Sequence, residues 1–343
     1  MKRLHPTSVL LHASLERSSN AMRSHDIITA VPLSFDQSGG LDLDGSRRIL
    51  EYVAASGVQG ALVLGTTGEF PALSIEERNA VARLSVEILA GVRVIVHVGA
   101  ASRFEVSQLI RGARDAGATE IAVLTPYYLP ATPDEVYDFF REVASEAAGL
   151  DVYVYMFEAR TGIPVDADLL VRLAELPGVV GVKVSGESLD LISSFRERLP
   201  EGFRIYTGAD GDFARAGRAG ADGVISGVAS AFAVPFVAMR DALLADDTGR
   251  IATLQTDIDE VVEAVDGSPR ACAPSTASPG ARSGASACPS PSRTPRCSRV
   301  SNAPSLVFTE TAASDDGRRT TKELQCCPHT SYPAGERSLR VRC

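Results

Sequence analysis

The sequence predicts an α/β fold of the (β/α)8 barrel type, and three observations lead to this prediction. From residue 27 to residue 264, short apolar runs alternate with longer amphipathic stretches, which is typical of parallel βαβ units. Eight such runs in about 240 residues match the size of a closed barrel of eight parallel strands. No GxGxxG motif follows the first run, which disfavours the main alternative, a doubly wound open sheet.

The strands and helices can be placed in order along the chain. An amphipathic stretch follows each strand, and several of these stretches carry helix start signals. Ser74 with Glu77 and Thr132 with Glu135 have the spacing of a capping box, and Asp166 is a predicted N-cap before ADLLVRL. The eight predicted strands are IITAVPLSF, GALVLG, RVIVHVG, EIAVLTP, VYVYMF, VVGVKVS, FRIYTG and DGVISG.

The chain divides into four predicted segments. Residues 25–246 form the barrel, the predicted catalytic domain, and residues 247–266 begin a C-terminal helical segment. Residues 1–24 are predicted to be a disordered N-terminal extension. Residues 267–343 are rich in Ser, Pro, Arg and Cys and lack helical or strand periodicity, so we predict either a disordered tail or an out-of-frame translation. On the second interpretation, the C-terminal helical extension is truncated or frameshifted.

Charge and hydropathy disfavour several classes of function. The formal net charge is −9, and an acidic chain is a poor partner for nucleic acid. No run reaches the roughly 18 apolar residues of a membrane-spanning helix. The first residues lack the apolar region of a secretory signal, and all six cysteines lie after residue 267. We therefore expect a cytoplasmic protein with no membrane partner.

Functional residues of such a barrel lie at the carboxyl ends of its strands. This rule selects four segments of the sequence: GTTGE after the second strand, TPYY after the fourth, YMFEARTG on and after the fifth, and Lys183 near the end of the sixth. Together these segments hold several hydroxyl groups and one lysine in an apolar surrounding. We therefore expect the chemistry of the protein at this end of the barrel.

Lys183 is the residue that most clearly suggests a reaction. It is the only lysine between Lys2 and Lys322, in a body that otherwise uses arginine. Burial disfavours the charged ammonium, so an inward-facing lysine can lose its proton and attack a carbonyl. The protonated imine that results withdraws electrons and allows a carbon–carbon bond to form or break beside it. The alternative is a lysine whose amine reaches solvent from the strand end.

Side chains near the other strand ends suit the same reaction. Tyr155 lies on the strand next to that of Lys183 and can relay protons at the imine, although a core aromatic is the ordinary alternative. The turn GTTGE offers two hydroxyls and backbone N–H groups suited to a carboxylate, or is simply a capped turn. Arg160 can bind a second carboxylate, or is a surface arginine.

Five motifs in register resemble the dihydrodipicolinate synthase and N-acetylneuraminate lyase family of class I aldolases; they are GTTGEFPALSIEER, TPYYLP, YMFEARTG, GVKVSG and ADGVISG. The 28-residue spacing of Tyr155 and Lys183 also fits the family. The resemblance implies that Lys183 forms an imine with pyruvate or another 2-oxo acid and that Tyr155 is the general acid/base. It also implies that Thr66 and Tyr128 complete a proton relay. Because the imine is covalent, no cofactor and no metal are implied.

The same resemblance implies substrate contacts and an assembly. Thr67 and the backbone near Thr66 would hold the pyruvate carboxylate, Ile225 would line the pocket, and Arg160 would bind the carboxylate of the second substrate. In the family, the tyrosine at the position of Tyr128 is lent across a dimer interface. The resemblance therefore implies a homo-oligomer, either a dimer or a tetramer.

Departures from the family pattern bear on the second substrate. The synthases usually read YNVPxRTG where this chain has Met156 and Glu158, and GIKEASGD where it has GVKVSGES. The expected activity is that of a 4-hydroxy-tetrahydrodipicolinate synthase, which condenses pyruvate with aspartate semialdehyde. Glu158 motivates an alternative, an aldolase or dehydratase acting on a 2-keto-3-deoxy sugar acid or an N-acetylneuraminate-type substrate. A second alternative, motivated by the residues before Met22 and by the tail, is a non-catalytic or decayed barrel.

Overall fold

Eight parallel strands close into a barrel in chain order, which confirms the predicted fold. The computed structural model describes residues 23–186 and 188–265 and three further strands between residues 307 and 342. Each barrel strand pairs with the next, and the last pairs with the first, with Ile28 opposite Ile225. The barrel strands are β1 (Asp26–Ala30), β2 (Gly60–Val63), β3 (Arg93–His97), β4 (Glu120–Leu124), β5 (Asp151–Met156), β6 (Val179–Val184), β7 (Arg204–Thr207) and β8 (Gly223–Ser226).

Every barrel strand is followed by at least one helix, as the alternation in the sequence predicts. Short 3-10 turns follow β2, β7 and β8 before the next α-helix begins. The helices are α1 (Leu43–Ala55), α2 (Ile75–Ile88), α3 (Arg103–Asp115), α4 (Pro133–Glu146), α5 (Glu158–Thr161), α6 (Ala167–Ala174), α7 (Leu189–Arg198), α8 (Phe213–Ala219), α9 (Ala233–Leu244) and α10 (Thr248–Val265).

The predicted helix caps are present. At α2 and α4, the Ser74 and Thr132 side chains accept from the N3 backbone N–H, and the N3 glutamate accepts from the N-cap backbone in return. At α6, the Asp166 carboxylate accepts from the Leu169 backbone N–H. These contacts satisfy N–H groups that have no partner within their own helix, so the predicted starts of all three helices are confirmed.

The apolar core has two layers because side chains alternate between the two faces of each strand. Outward-facing side chains pack against the helices in one large cluster. Inward-facing side chains fill the centre of the barrel, so that chemistry is left to the barrel ends. The inner layer comprises Ile28, Ala30, Leu62, Ile95, Ala122, Tyr153, Tyr206 and Ile225.

A set of paired polar side chains, which we call the Arg93 network, closes the amino end of the barrel; its members are Asp26, Arg93, Glu120, Tyr153 and Tyr206. The Arg93 Nε donates to both carboxylate oxygens of Glu120, at 2.7 and 2.9 Å. Its other two nitrogens donate to the hydroxyls of Tyr206 and Tyr153, and Asp26 lies 3.5 Å from Arg93. Arg204 adds a second guanidinium 3.7 Å from Glu120, so two arginines face two carboxylates at this end.

The segments on either side of the barrel are described only in part. Residues 1–22 of the predicted N-terminal extension, residue 266 of the predicted helical segment and residues 267–306 of the predicted tail lie outside the described residues. Further on, β9 (Val307–Ala313), β10 (Arg319–Gln325) and β11 (Ser338–Arg342) form an antiparallel sheet in the order β10-β9-β11. The predicted segment boundaries, and the disordered, truncated or out-of-frame character of the tail, stay predictions. No helix in the described part of the chain is long and apolar enough to cross a membrane.

Candidate active site

Lys183 and Tyr155 lie side by side at the carboxyl end of the barrel. The two residues are direct register partners on β6 and β5. The lysine is 6% exposed and the tyrosine 1%. The Lys183 Nζ lies 4.3 Å from the centroid of the Tyr155 ring, a distance suited to a cation–π contact. The sequence prediction that Lys183 faces inward therefore agrees with the structure.

Thr66 completes this group from the turn that follows β2. Its Oγ1 lies 3.1 Å from the Tyr155 hydroxyl, and either atom can be the donor. Burial, the largest single influence, raises the pKa of the Tyr155 phenol, and the charge of Lys183 acts against it. Hydrogen bonds to Thr66 and Ser185 act in the same direction, so the pKa of Tyr155 lies below its usual value. A phenol whose pKa is lowered gives up its proton more readily, which suits a group that transfers protons.

The turn that carries Thr66 has an unusual backbone at both ends. Leu64 has a φ of 61° and Glu69 a φ of 50°, in the left-handed region that costs of order 1–3 kcal/mol for a residue with a side chain. Within the turn, the Gly68 N–H donates to the Gly65 carbonyl, at 3.1 Å, and the Glu69 N–H donates to that of Thr66, at 3.0 Å. The surrounding structure must therefore hold this turn in place.

Two buried residues next to the turn were not singled out from the sequence. His97, at the end of β3, places its Nδ1 2.9 Å from the Leu64 carbonyl oxygen. Arg78 from α2 donates to the carbonyls of His97 and Gly99, both at 2.9 Å. In the sequence, RVIVHVG places a histidine at the end of a predicted strand, and this position is the feature that could have indicated His97.

Asp210 is a third residue that sequence reasoning missed. It follows β7 in the segment TGADGD, so the rule of strand carboxyl ends already pointed to it. Burial raises its pKa to about 6, against the opposing effects of a hydrogen bond to Ser226 and the charge of Lys183. Its Oδ1 has no hydrogen-bond partner among the described residues. Asp210 thus supplies a carboxyl group that exchanges a proton near neutral pH.

Three other predicted site residues lie in different parts of the barrel. Ile225 lies in the inner apolar layer of the barrel, and Thr67 is half-buried in the turn next to Thr66. Arg160 is exposed on α5, with its guanidinium 5.8 Å from the ring centroid of Phe157. Phe157 in turn stacks on Tyr155, with centroids 6.3 Å apart, which places Arg160 at the outer rim of the site.

Tyr128 is also separate from the group around Tyr155. It is 90% exposed on the loop after β4 and has a φ of 77°. Its neighbour Leu129 is 70% exposed, and so is Phe104 at the start of α3. Single exposed apolar side chains are ordinary on a monomer, whereas a contiguous exposed apolar patch is unusual. Tyr128, Leu129 and Phe104 each leave a large side chain uncovered.

The fold and the site define a class of protein. It is an α/β barrel in which a lysine amine, buried beside a tyrosine, can react with the carbonyl group of a substrate. The particular family follows from comparison with known proteins: the model of the dihydrodipicolinate synthetase family matches residues 23–272. The chain belongs to this family.

Two curated relatives and one solved structure illustrate the similarity. The chain is 35% identical over 228 residues to a 4-hydroxy-tetrahydrodipicolinate synthase of Azoarcus sp., which covers 66% of this chain and 78% of the relative. It is 31% identical over 238 residues to an N-acetylneuraminate lyase of Escherichia coli, covering 69% of this chain and 80% of the relative. A prophage protein of the dihydrodipicolinic acid synthase family from E. coli, solved in complex with pyruvate, matches with a TM-score of 0.68 at 26% identity. That match covers 74% of this chain and 85% of the other.

The predicted family and the prediction of a lyase of this family are therefore confirmed. The roles assigned to individual site residues stay predictions. The structure brings three of the seven together, namely Lys183, Tyr155 and Thr66.

Proposed function

We propose that this protein is a lyase that forms a Schiff base between Lys183 and pyruvate and then joins the pyruvate carbon to aspartate semialdehyde, as a 4-hydroxy-tetrahydrodipicolinate synthase does. The observation that carries the proposal is the group of Lys183, Tyr155 and Thr66. In this group, the buried Lys183 amine lies beside the Tyr155 phenol, and the pKa of that phenol is lowered. The names of the relatives support the choice of substrates.

The geometry supports a balanced sequence of proton transfers. The Lys183 amine attacks the C2 carbonyl of pyruvate, and the carbonyl oxygen takes a proton from Tyr155. The nitrogen then returns a proton to the tyrosinate, and the new hydroxyl leaves as water with a proton from the same phenol. Thr66, 3.1 Å from the phenol, passes protons to and from it.

The iminium formed in this way prepares the carbon–carbon bond. The Tyr155 tyrosinate takes a C3 proton to give an enamine, whose C3 attacks the aldehyde carbon, and the same phenol then gives its proton to the aldehyde oxygen. Water then hydrolyses the imine and frees Lys183 together with the product. Every step uses a covalent lysine intermediate, so we propose that the reaction needs no cofactor.

The carboxylates of the two substrates have candidate partners at this end of the barrel. We assign the pyruvate carboxylate to Thr67 and the backbone of the turn, and the wall of the pocket to Ile225. Arg160 lies at the rim, where a fork of N–H donors can bind the carboxylate of the second substrate. Its exposed position suits a group that meets the second substrate after the imine has formed.

A second candidate is an aldolase for a hydroxylated 2-oxo acid such as a 2-keto-3-deoxy sugar acid or N-acetylneuraminate. Three polar side chains favour it: Asp210 with its unpartnered Oδ1, the Ser185 hydroxyl beside Tyr155, and Glu158 on α5. Carboxylates and hydroxyls of this kind can bind the hydroxyl groups of a sugar-derived chain. The N-acetylneuraminate lyase among the relatives agrees with this reading.

The oligomer is proposed on separate grounds. Tyr128 and Leu129 after β4 and Phe104 after β3 expose large side chains, and a second copy of the chain would cover them. In a homo-oligomer, a dimer or a tetramer, Tyr128 from one copy would extend the proton relay of another. We place the protein in the cytoplasm on the grounds given from the sequence.

Reductive trapping tests the chemistry directly. Incubation with pyruvate and borohydride should leave a reduced pyruvate adduct on the peptide that contains Lys183, and the matched Lys183→Met chain should remain unmodified. Turnover of aspartate semialdehyde would then support the synthase, whereas cleavage of a sugar acid without such turnover would support the second candidate. A soluble wild-type chain that forms no adduct would favour the non-catalytic barrel.

A further inference from the structure

His97 is a buried histidine in the active-site region that the proposed mechanism does not use. It is fully buried at the end of β3, and its Nδ1 lies 2.9 Å from the Leu64 carbonyl oxygen. A carbonyl oxygen only accepts hydrogen bonds, so Nδ1 must carry the proton and act as the donor. This assigns the tautomer: Nε2 is the unprotonated nitrogen, and it has no partner among the described residues.

The acceptor of this hydrogen bond is the first residue of the turn that carries Thr66. Leu64 is in the left-handed region, which is unfavourable for a leucine unless neighbouring groups hold it there. Residue 66 lies only two positions further on, so a change in the direction of the Leu64 carbonyl moves the Thr66 hydroxyl. The His97 hydrogen bond therefore acts on the part of the turn that needs support.

His97 is itself held from several sides. Arg78 donates to its backbone carbonyl at 2.9 Å, the Phe70 ring meets the imidazole edge to face at 4.6 Å, and the Tyr155 ring does so at 5.8 Å. Desolvation above all, and then the charge of Arg78, hold the pKa of His97 well below its usual value. The imidazole is consequently neutral and offers a single fixed N–H.

We propose that His97 is a positioning residue, which holds the Leu64 carbonyl so that the turn presents the Thr66 hydroxyl to Tyr155. The inference rests on the proposed function, in which the contact between Thr66 and Tyr155 moves protons. On this view His97 acts only through the turn and never touches the substrate. A histidine that merely fills the core would share its burial but would have no specific link to Thr66.

Two variants separate the hydrogen bond from the packing. His97→Leu removes the donor and keeps an apolar side chain, whereas His97→Asn keeps an N–H donor near the place of Nδ1. We expect kcat/KM to fall about 10- to 100-fold in His97→Leu, since small misplacements near the reacting groups have effects of that size. His97→Asn should recover most of the loss. Val96→Ala, on the same strand but facing the outer core, is the control that lowers stability without lowering kcat/KM.

A double-mutant cycle supplies the readout that simple packing would not move. If His97 acts through Thr66, then His97→Leu should lower kcat/KM by less than about 3-fold in a Thr66→Val background, because residues that act as a unit are not additive. Full additivity, an unchanged kcat/KM in His97→Leu, or no recovery in His97→Asn would each overturn the inference.

The proposed function and this inference fail in different ways. Absence of a pyruvate adduct in the wild-type chain overturns the proposed function alone. The role of His97 is then decided by the crystal structures of wild type and His97→Leu. A longer Thr66–Tyr155 distance in the variant supports it, and an unchanged distance contradicts it.

Discussion

At the amino end of the barrel, Arg93 donates to Glu120, Tyr153 and Tyr206, so the members of the Arg93 network are paired with one another. At the carboxyl end, the Lys183 amine faces an aromatic ring and Asp210 keeps one carboxylate oxygen without a partner in the described chain. The strands, the core and the degree of burial are common to both ends. The two ends differ in whether buried polar groups are paired.

The pKa values show the consequence of this difference. At the amino end, burial raises the pKa of the Tyr153 phenol to about 12, further from neutrality than usual. At the carboxyl end, the pKa of Tyr155 is lowered and that of Asp210 is raised to about 6. The pKa values of Tyr155 and Asp210 thus shift toward neutrality while that of Tyr153 shifts away from it, which is the pattern expected of a functional site beside a structural one.

The largest expected effect is on catalysis at the carboxyl end. Tyr155→Phe removes the phenolic proton but keeps the ring, so kcat should fall about 10²- to 10⁴-fold, the usual contribution of general acid–base catalysis. The rate of borohydride trapping should fall with it. The free energy of unfolding should fall by about 1 kcal/mol, because the hydrogen bond to Thr66 is lost while the apolar contacts of the ring remain.

Tyr206→Phe is the matched control for that comparison. It removes a phenol from the Arg93 network, where Arg93 donates to it at 2.8 Å, and should lower stability by about 1 kcal/mol with kcat unchanged. Rates and urea unfolding curves of both variants test the contrast. Equal losses of kcat in the two variants would show that the ends do not differ in function.

The second expected effect is on stability at the amino end. Arg93→Met leaves the largely buried Glu120 carboxylate without its main partner, so the free energy of unfolding should fall by about 2–4 kcal/mol. Trapping per folded chain should be retained. Arg103→Met is the control, since Arg103 is about half exposed beside Glu142 and such surface pairs contribute about 0–1 kcal/mol. A similar loss in both variants, by thermal or urea unfolding, would contradict a special role for the paired amino end.

The fold was predictable because its signals are local and repeated. Alternating apolar runs and the caps at Ser74, Thr132 and Asp166 each depend on a few neighbouring residues. The pairing of Lys183 with Tyr155 was predictable because the two residues lie at corresponding positions of adjacent strands. The motifs then added the expectation that Thr66 joins them.

The supporting residues were not predictable in the same way. The proposed role of His97 depends on the direction of the Leu64 carbonyl. That direction depends on the left-handed φ of Leu64, which a leucine in the sequence does not indicate. Asp210 is one of many acidic residues, and its raised pKa results from burial that only the packed structure reveals. Tyr128 stands apart because its proposed contacts belong to a second copy of the chain.

The smallest expected effect is a pH dependence of stability at the carboxyl end. A carboxyl whose pKa rises from 3.8 to about 6 on folding binds its proton more tightly in the folded chain. Wild type should therefore lose stability as the pH rises through that window. The side chain of Asp210→Asn cannot titrate. The free energy of unfolding of this variant, relative to that of wild type, should therefore rise by on the order of 1 kcal/mol between about pH 5 and about pH 8.

Urea unfolding of wild type and Asp210→Asn across that range measures this change, and Asp168→Asn serves as the control. Asp168 is 79% exposed beside Arg198, so its substitution should give a difference from wild type that is nearly independent of pH over the same range. If the free energies of unfolding of Asp210→Asn and wild type also differed by a constant amount, the folded wild-type chain would ionise the Asp210 carboxyl at low cost. The carboxyl end would then lack the destabilised charge that distinguishes it from the paired amino end.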